Sequence, residues 1–212
     1  MDCKGIIFDV DGTLLASSHV WEQVDEEFTQ RYNLTKGEDF YELLKPLSYD
    51  ESVAFFVRYF RLDMTEEQVS AVFMEMVGEK YRSNIEPKRG AAEFVHRCAD
   101  KGIRMCAATA GIKSLAEAAL KRTGILDSLE FVITCDDVGA GKQSPLIYLT
   151  AAERMGLKPG DVVVFEDPLH CILTASAAGF RTVAVYDKQS AEELEAVKQT
   201  ADRFISDYSE LP

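Results

Sequence analysis

Apolar positions at helical spacing run through residues 16–87, where no convincing strand pattern is found. The stripes are Val20, Val24, Phe28 and Tyr32, then Val53, Phe56, Val57 and Phe60, then Val69, Val72, Phe73 and Met76. Spacings of three and four residues predict amphipathic helices with apolar faces that pack together. Ser18 is the expected N-cap of the first helix, and Thr65 with Gln68 is expected to form a capping box. Residues 16–87 are therefore predicted to form a small helical bundle.

Short apolar runs of strand type flank this segment on both sides. The first covers residues 4–10, and further runs alternate with helical patterns at 103–108, 131–134, 162–165 and 182–185, with a short edge strand at 203–206. The run at 162–165 is apolar throughout, as expected of a strand buried on both faces. Strands that alternate with helices predict an α/β fold with a parallel, doubly wound sheet. We therefore expect a core of residues 1–15 and 88–212, interrupted by an inserted α-helical cap domain, residues 16–87.

Composition and charge limit the kinds of molecule that the protein is expected to bind and the compartment in which it is expected to lie. The chain has 212 residues and a net charge of −13, which argues against nucleic acid or an anionic membrane as the main partner. The five cysteines are odd in number and form no Cys-x-x-Cys pair, which favours thiols in a reducing compartment. No apolar run in the sequence is long enough to cross a membrane. The first predicted strand begins near the first residue, so we expect no signal peptide. We therefore expect a cytoplasmic protein, monomeric by default.

Polar residues that could take part in catalysis or binding follow the predicted strands. Asp9 and Asp11 follow the first strand, Thr109 and Ala110 the second, and the pair Glu166–Asp167 the strand at 162–165, while Lys142 lies beyond the third strand. Taken singly, each has an ordinary interpretation: a surface turn, a strand-end cap, a loop or a solvated lysine. Because ligands of open α/β sheets bind at the carboxyl ends of the strands, we expect these residues to converge in one crevice.

Their combination fits phosphoryl transfer. Several carboxylates in one place need a cation, and oxygen ligands favour Mg²⁺. Asp9 is the candidate nucleophile, forming an aspartyl-phosphate, and Asp11 the candidate general acid and base. Lys142 would neutralise phosphoryl charge, while the Thr109 hydroxyl and the Ala110 amide would donate hydrogen bonds to phosphate oxygens. The four carboxylates that such a cation would neutralise are those of Asp9, Asp11, Glu166 and Asp167, the candidate metal residues.

These segments resemble the motifs of the haloacid dehalogenase-like (HAD) hydrolase superfamily, in particular its beta-phosphoglucomutase-like branch. The run Phe8-Asp9-Val10-Asp11-Gly12-Thr13-Leu14, then Thr109, Lys142 and Phe165-Glu166-Asp167-Pro168 match the four motifs in order and spacing. The resemblance implies a Rossmann-like core and Mg²⁺ dependence. It further implies that the Asp9 side chain, the Asp11 carbonyl and Asp167 hold the metal, with Glu166 direct or through water. Departures at Ala16–Ser17, Ala110 and residues 143–146 affect the expected substrate contacts and loop geometry.

The leading hypothesis is a magnesium-dependent phosphatase acting on a small phosphomonoester, such as a sugar phosphate. Asp11 favours this chemistry, since dehalogenases of the superfamily lack an acid/base aspartate at that position. A phosphosugar mutase is the alternative; it would need cap cations for a second phosphate, for which Arg58 and Arg61 on one helix are candidates. A non-catalytic binding module on the same fold is a third hypothesis.

The inserted helices are expected to determine substrate specificity. Ser17, His19, Trp21 and residues 45–49 are the candidates for this role. A phosphonoacetaldehyde hydrolase would need a Schiff-base lysine from the cap, and nothing in the sequence distinguishes Lys36, Lys45 or Lys80 for that role.

Overall fold

Six parallel strands form one sheet in the computed structural model, which describes residues 3–44 and 49–212. The strands are β1 (Gly5–Phe8), β2 (Arg104–Thr109), β3 (Val132–Thr134), β4 (Val162–Glu166), β5 (Arg181–Val185) and β6 (Arg203–Ile205). Their order in the sheet is β3-β2-β1-β4-β5-β6, so β6 lies at an edge, as predicted. The predicted α/β fold with a parallel, doubly wound sheet is confirmed. The strand order reverses between β1 and β4, which is where open α/β sheets bind ligands.

The chain divides into two compact units, His19–Lys80 and the remainder, Met1–Ser18 with Tyr81–Pro212. Within its described residues, the first unit has helices and no strand: α1 (Val20–Arg31), α2 (Phe40–Leu44), α3 (Tyr49–Phe60) and most of α4 (Glu66–Ser83). Phe28 packs edge-on against Phe56 and Phe73, so the predicted apolar stripes form the core of this unit. The assignment of residues 16–87 as a cap and of 1–15 with 88–212 as the catalytic core stays a prediction.

Helices surround the sheet in the larger unit. They are α5 (Ala91–Asp100), α6 (Lys113–Arg122), α7 (Cys135–Val138), α8 (Leu146–Arg154), α9 (Leu169–Ala177) and α10 (Leu194–Thr200). Phe94 of α5 packs against Phe8 and Phe165, while Ile7 and Val164 belong to an apolar cluster that includes residues of α8. Strands β1 and β4 are therefore buried along their whole length, as their unbroken apolar runs indicate.

Local predictions in the helical unit had mixed outcomes. Thr65 and Gln68 form the predicted capping box through two hydrogen bonds. Helix α1 begins at Val20 with His19 as its N-cap and no side-chain cap hydrogen bond, so the prediction of Ser18 as the cap was wrong. Helix α3 ends at Phe60, and Arg61 follows in the left-handed conformation with φ of 52°, so Arg58 and Arg61 do not share a helix face. Lys45 and its neighbours up to residue 48 lie outside the described residues.

The two chain segments that lead into and out of the insertion pair with each other within the larger unit. The Ala16 N–H donates to the Glu86 carbonyl at 2.9 Å, and the Lys88 N–H donates to the Leu14 carbonyl at 2.8 Å. Leu15 and Pro87 form an antiparallel bridge between these two bonds. Among the helices of residues 3–44 and 49–212, none is both long and apolar enough to cross a membrane.

Candidate active site

The end of β1 places Asp9 at the point where the strand order reverses. The Asp9 N–H donates to the Phe165 carbonyl of β4 at 2.9 Å, so Asp9 continues the sheet pairing by one residue. The chain then turns back: Gly12 N–H donates to the Leu15 carbonyl, and Leu15 N–H donates to the Val10 carbonyl. This tight turn places the first motif beside the end of β4, which carries Glu166.

Lys142 connects two of the predicted carboxylates in the interior. Its ammonium donates to Oδ1 of Asp9 and, at 2.8 Å, to Oε1 of Glu166. The exposed fractions are 6% for Lys142, 6% for Asp9 and 1% for Glu166, so all three charges are withdrawn from water. Burial alone would lower the pKa of Lys142, but the two carboxylate charges raise it above its usual range. The lysine is therefore held as a cation.

Asp9, Glu166 and Asp167 form one buried group of carboxylates. One oxygen from each lies within 4.8 Å of the others. Burial raises the pKa of Asp9 and of Glu166, against the lowering effect of Lys142, and burial with the Asp9 charge raises the pKa of Asp167 to about 7. Burial and mutual repulsion therefore destabilise the charged forms of these three carboxylates more than the single lysine stabilises them.

Two carboxylate oxygens of this group have no hydrogen-bond partner among the described residues. They are Oδ2 of Asp9 and Oε2 of Glu166, both fully buried. Buried acceptors without a partner are unfavourable and rare in native proteins. A hard divalent cation with oxygen ligands would satisfy both and relieve the raised pKa values, so the residues present fit Mg²⁺.

Asp167 is held by two hydroxyl groups and lies against the Gly12 backbone. Thr13 Oγ1 donates to Oδ1 at 3.3 Å, and Ser190 Oγ donates to Oδ2 at 3.0 Å. Gly12 has φ of 88°, and a Cβ added there would lie 3.0 Å from both carboxylate oxygens. The glycine therefore allows both the left-handed turn and the close approach of Asp167.

Replacing Gly12 by alanine tests this approach. We expect Gly12→Ala to lower the free energy of unfolding by about 1–2 kcal/mol from backbone strain alone, and further from displacement of Asp167. Gly124→Ala is the matched control, since Gly124 has φ of 75° and its added Cβ would meet no atom within 4 Å. Urea unfolding of both variants gives the comparison. Equal losses would mean that the Asp167 carboxylate moves aside without cost.

Asp11 lies outside the group of three carboxylates. Ser17 Oγ and the Tyr81 hydroxyl both donate to its Oδ1, at 2.6 and 2.5 Å. Its Oδ2 lies beside Gly111, where an added Cβ would be 3.1 Å from Asp11 Oδ2 and 3.2 Å from Thr109 Oγ1. The ends of β1 and β2 thus bring Asp11 and Thr109 to the same short stretch of backbone.

The remaining predicted residues occupy distinct positions. Thr109 is buried and its Oγ1 accepts a hydrogen bond from the Gly111 N–H at 2.8 Å, while Ala110 is exposed. In the helical unit His19 is exposed, and Trp21 is 43% exposed with its ring 5.6 Å from that of Tyr49. The hydroxyl of Ser17, a candidate for substrate specificity, donates to Asp11, and its role in specificity stays a prediction.

Several residues of the site were missed in the sequence. Tyr81 and Ser190 carry no motif signal, because only the folded chain brings them to Asp11 and Asp167. Tyr148 lies among buried apolar residues of α8, and its hydroxyl donates to Oε1 of Glu166 at 2.7 Å. A tyrosine within a buried stripe is a usable signal, since its hydroxyl normally finds a partner when buried.

Comparisons with known proteins show which family the chain resembles in sequence and in fold. The model of one family, described as haloacid dehalogenase-like hydrolase, matches residues 3–179. Validoxylamine A 7'-phosphate phosphatase of Streptomyces hygroscopicus subsp. limoneus is 28% identical over 98% of this chain and 95% of that protein. Hexitol phosphatase A of Escherichia coli (strain K12) is 29% identical over 87% and 84%. The crystal structure of a proposed beta-phosphoglucomutase from Thermotoga maritima has a TM-score of 0.82 at 23% identity, over 95% of this chain and 94% of that chain.

Proposed function

Because the chain belongs to the haloacid dehalogenase-like hydrolase family, we propose that it is a magnesium-dependent phosphatase acting through an aspartyl-phosphate on Asp9. The family match confirms the prediction of a HAD-like hydrolase, and relatives named as phosphatases support the class of phosphoric monoester hydrolase. The observation that carries the proposal is the buried network of Asp9, Lys142 and Glu166, in which each carboxylate keeps one oxygen that no described residue hydrogen-bonds.

The proposed reaction has two steps at phosphorus. The Asp9 carboxylate attacks the phosphoryl group and the ester P–O bond breaks, while Asp11 gives its proton to the leaving oxygen. Asp11 then takes a proton from water, which attacks phosphorus and breaks the bond to Asp9. Inorganic phosphate is released and both aspartates return to their starting states. The hydroxyls of Ser17 and Tyr81 hold Asp11 through one oxygen, so the other remains available for the proton.

The phosphoryl oxygens would be bound by the Lys142 ammonium, the Thr109 hydroxyl and the Ala110 amide. Mg²⁺ would be held by the side chains of Asp9, Glu166 and Asp167 and by the Asp11 carbonyl. When bound, the cation offsets negative charge on the carboxylates and on the phosphoryl group. The phosphate contacts are inferred from the positions of Thr109, Ala110 and Lys142 beyond the strands, and the Asp11 carbonyl is taken as a metal ligand because the resemblance to the family implies it.

The substrate is proposed to be a small phosphorylated metabolite, such as a sugar phosphate. This class rests on the printed names of the relatives, which act on a validoxylamine phosphate and on hexitol phosphates. The net charge of −13 supports a metabolite rather than nucleic acid or an anionic membrane as partner. Cytoplasmic location and the monomeric state stay predictions.

Metal removal tests the proposed function. We expect phosphate release from at least one phosphomonoester in a panel of sugar phosphates, nucleotides and small phosphorylated acids with Mg²⁺. Activity should fall to background in EDTA and return when excess Mg²⁺ is added, because the buried carboxylates need the cation. Activity that persists unchanged in EDTA would contradict the proposal.

The same panel separates the alternatives. A mutase would isomerise a hexose 1-phosphate without releasing phosphate, and a binding module would turn over none of the panel. Arg58 and Arg61 no longer support the mutase alternative as a pair on one helix, since α3 ends between them.

A further inference from the structure

Tyr148 contacts the proposed metal site from the interior of the protein. It lies on α8, has 0% exposure, and is six residues beyond Lys142 in the chain. Its hydroxyl donates to Oε1 of Glu166 at 2.7 Å, the oxygen that also accepts from Lys142 at 2.8 Å. Oε2 of the same carboxylate is buried without a hydrogen-bond partner among the described residues. The two oxygens of Glu166 are therefore in different environments.

We propose that Tyr148 is a positioning residue for the cation site, which fixes the Glu166 carboxylate so that Oε2 stays available as a ligand. With two donors on Oε1, the carboxylate is held in one orientation about the last C–C bond of Glu166. With Lys142 alone, it could rotate and exchange the positions of Oε1 and Oε2. The inference rests on the proposed function only in taking a divalent cation as the ligand. Since Tyr148 is fully buried, it acts through Glu166 and does not touch the substrate.

The neighbouring carboxylates show why Glu166 depends on this tyrosine. Asp167 is held at both oxygens by the hydroxyls of Thr13 and Ser190, whereas the Asp9 carboxylate accepts from Lys142 at Oδ1. Glu166 has Lys142 and Tyr148 on one oxygen only. A phenylalanine would fill the same space in the apolar cluster around Tyr148, so packing alone does not account for the hydroxyl.

Tyr148→Phe tests the role of the hydroxyl with the ring retained. We expect about tenfold weaker binding of Mn²⁺, followed by electron paramagnetic resonance on the substrate-free protein, because loss of a group that orients a metal ligand typically weakens metal affinity 10- to 100-fold. Tyr208→Phe is the matched control: Tyr208 is equally buried, but its hydroxyl donates to the Thr13 carbonyl. Circular dichroism and urea unfolding verify that both variants are folded.

A double-mutant cycle separates positioning from a general loss of packing. In a Glu166→Gln background, Tyr148→Phe should change Mn²⁺ affinity less than about twofold, because the carboxylate on which it acts is gone. Unchanged Mn²⁺ affinity of the single Tyr148→Phe variant, or equal weakening in both backgrounds, would overturn the inference. Metal binding is measured without turnover, so a protein that hydrolyses no phosphomonoester can still show the predicted effect. Failure of the phosphatase proposal is therefore distinguishable from failure of the proposed role of Tyr148.

Discussion

Asp9→Asn is expected to lower phosphatase turnover by about 10⁴-fold or more, to background in a panel assay. The amide cannot form the acyl phosphate, and the remaining groups of the site can only bind and orient the substrate. Acid-quenched wild-type enzyme should carry phosphate derived from the substrate, and Asp9→Asn should carry none. The measurement is phosphate release with saturating Mg²⁺, together with trapping of the phosphoenzyme.

The matched control for this variant is Asp127→Asn, at an exposed aspartate in the turn after α6. It makes the same chemical change and should keep wild-type turnover. Asp9→Asn activity above about one hundredth of wild type would mean that the nucleophile is wrongly assigned. A phosphoenzyme trapped on Asp9→Asn would have the same meaning.

Lys142→Met is expected to give the largest loss of stability. The variant leaves Asp9 and Glu166, which are 6% and 1% exposed, without the cation that pairs with both. Removing one partner of a buried ion pair typically lowers the free energy of unfolding by about 3–5 kcal/mol. Urea unfolding at neutral pH in EDTA measures this loss without a contribution from metal binding.

The control for Lys142 is Lys113→Met. Lys113 pairs with Asp137 at 3.0 Å, but both side chains are about two-fifths exposed, so the expected loss is about 0–1 kcal/mol. We also expect Lys142→Met to lower turnover by about 10²- to 10³-fold, since a preorganised charge at the phosphoryl group is lost. Equal stability losses in the two variants would show that burial does not strengthen the Lys142 pairs.

Much of the larger unit could be predicted from the chain. The unbroken apolar run at β4 indicated a strand buried on both faces, and the alternation of strands with helices indicated a parallel sheet. In such a sheet all carboxyl ends meet at one edge, so the positions of Asp9 and Glu166 followed from strand ends alone. The structure brings both to Lys142, which sequence spacing could place only beyond the third strand.

Details that depend on packing were predicted poorly. Ser18 has the residue type of an N-cap, yet α1 begins at Val20 without a side-chain cap. Arg61 has the spacing of a continued helix, yet the chain adopts positive φ there and leaves α3. In both cases the local pattern is compatible with two conformations, and the surrounding packing selects one.

By itself, the sequence determined the fold class, the order of the strands along the chain and the residue types at their ends, because hydrophobic periodicity and motif spacing are local properties. Only the tertiary structure decided which atoms meet. The Tyr148 hydroxyl donates to Oε1 of Glu166, those of Ser17 and Tyr81 donate to Asp11, and that of Ser190 donates to Asp167. Apart from Ser17 and Asp11, which are six residues apart, these contacts join residues separated by 18 or more positions. Their partners are chosen by burial and the requirement that buried polar groups be hydrogen-bonded.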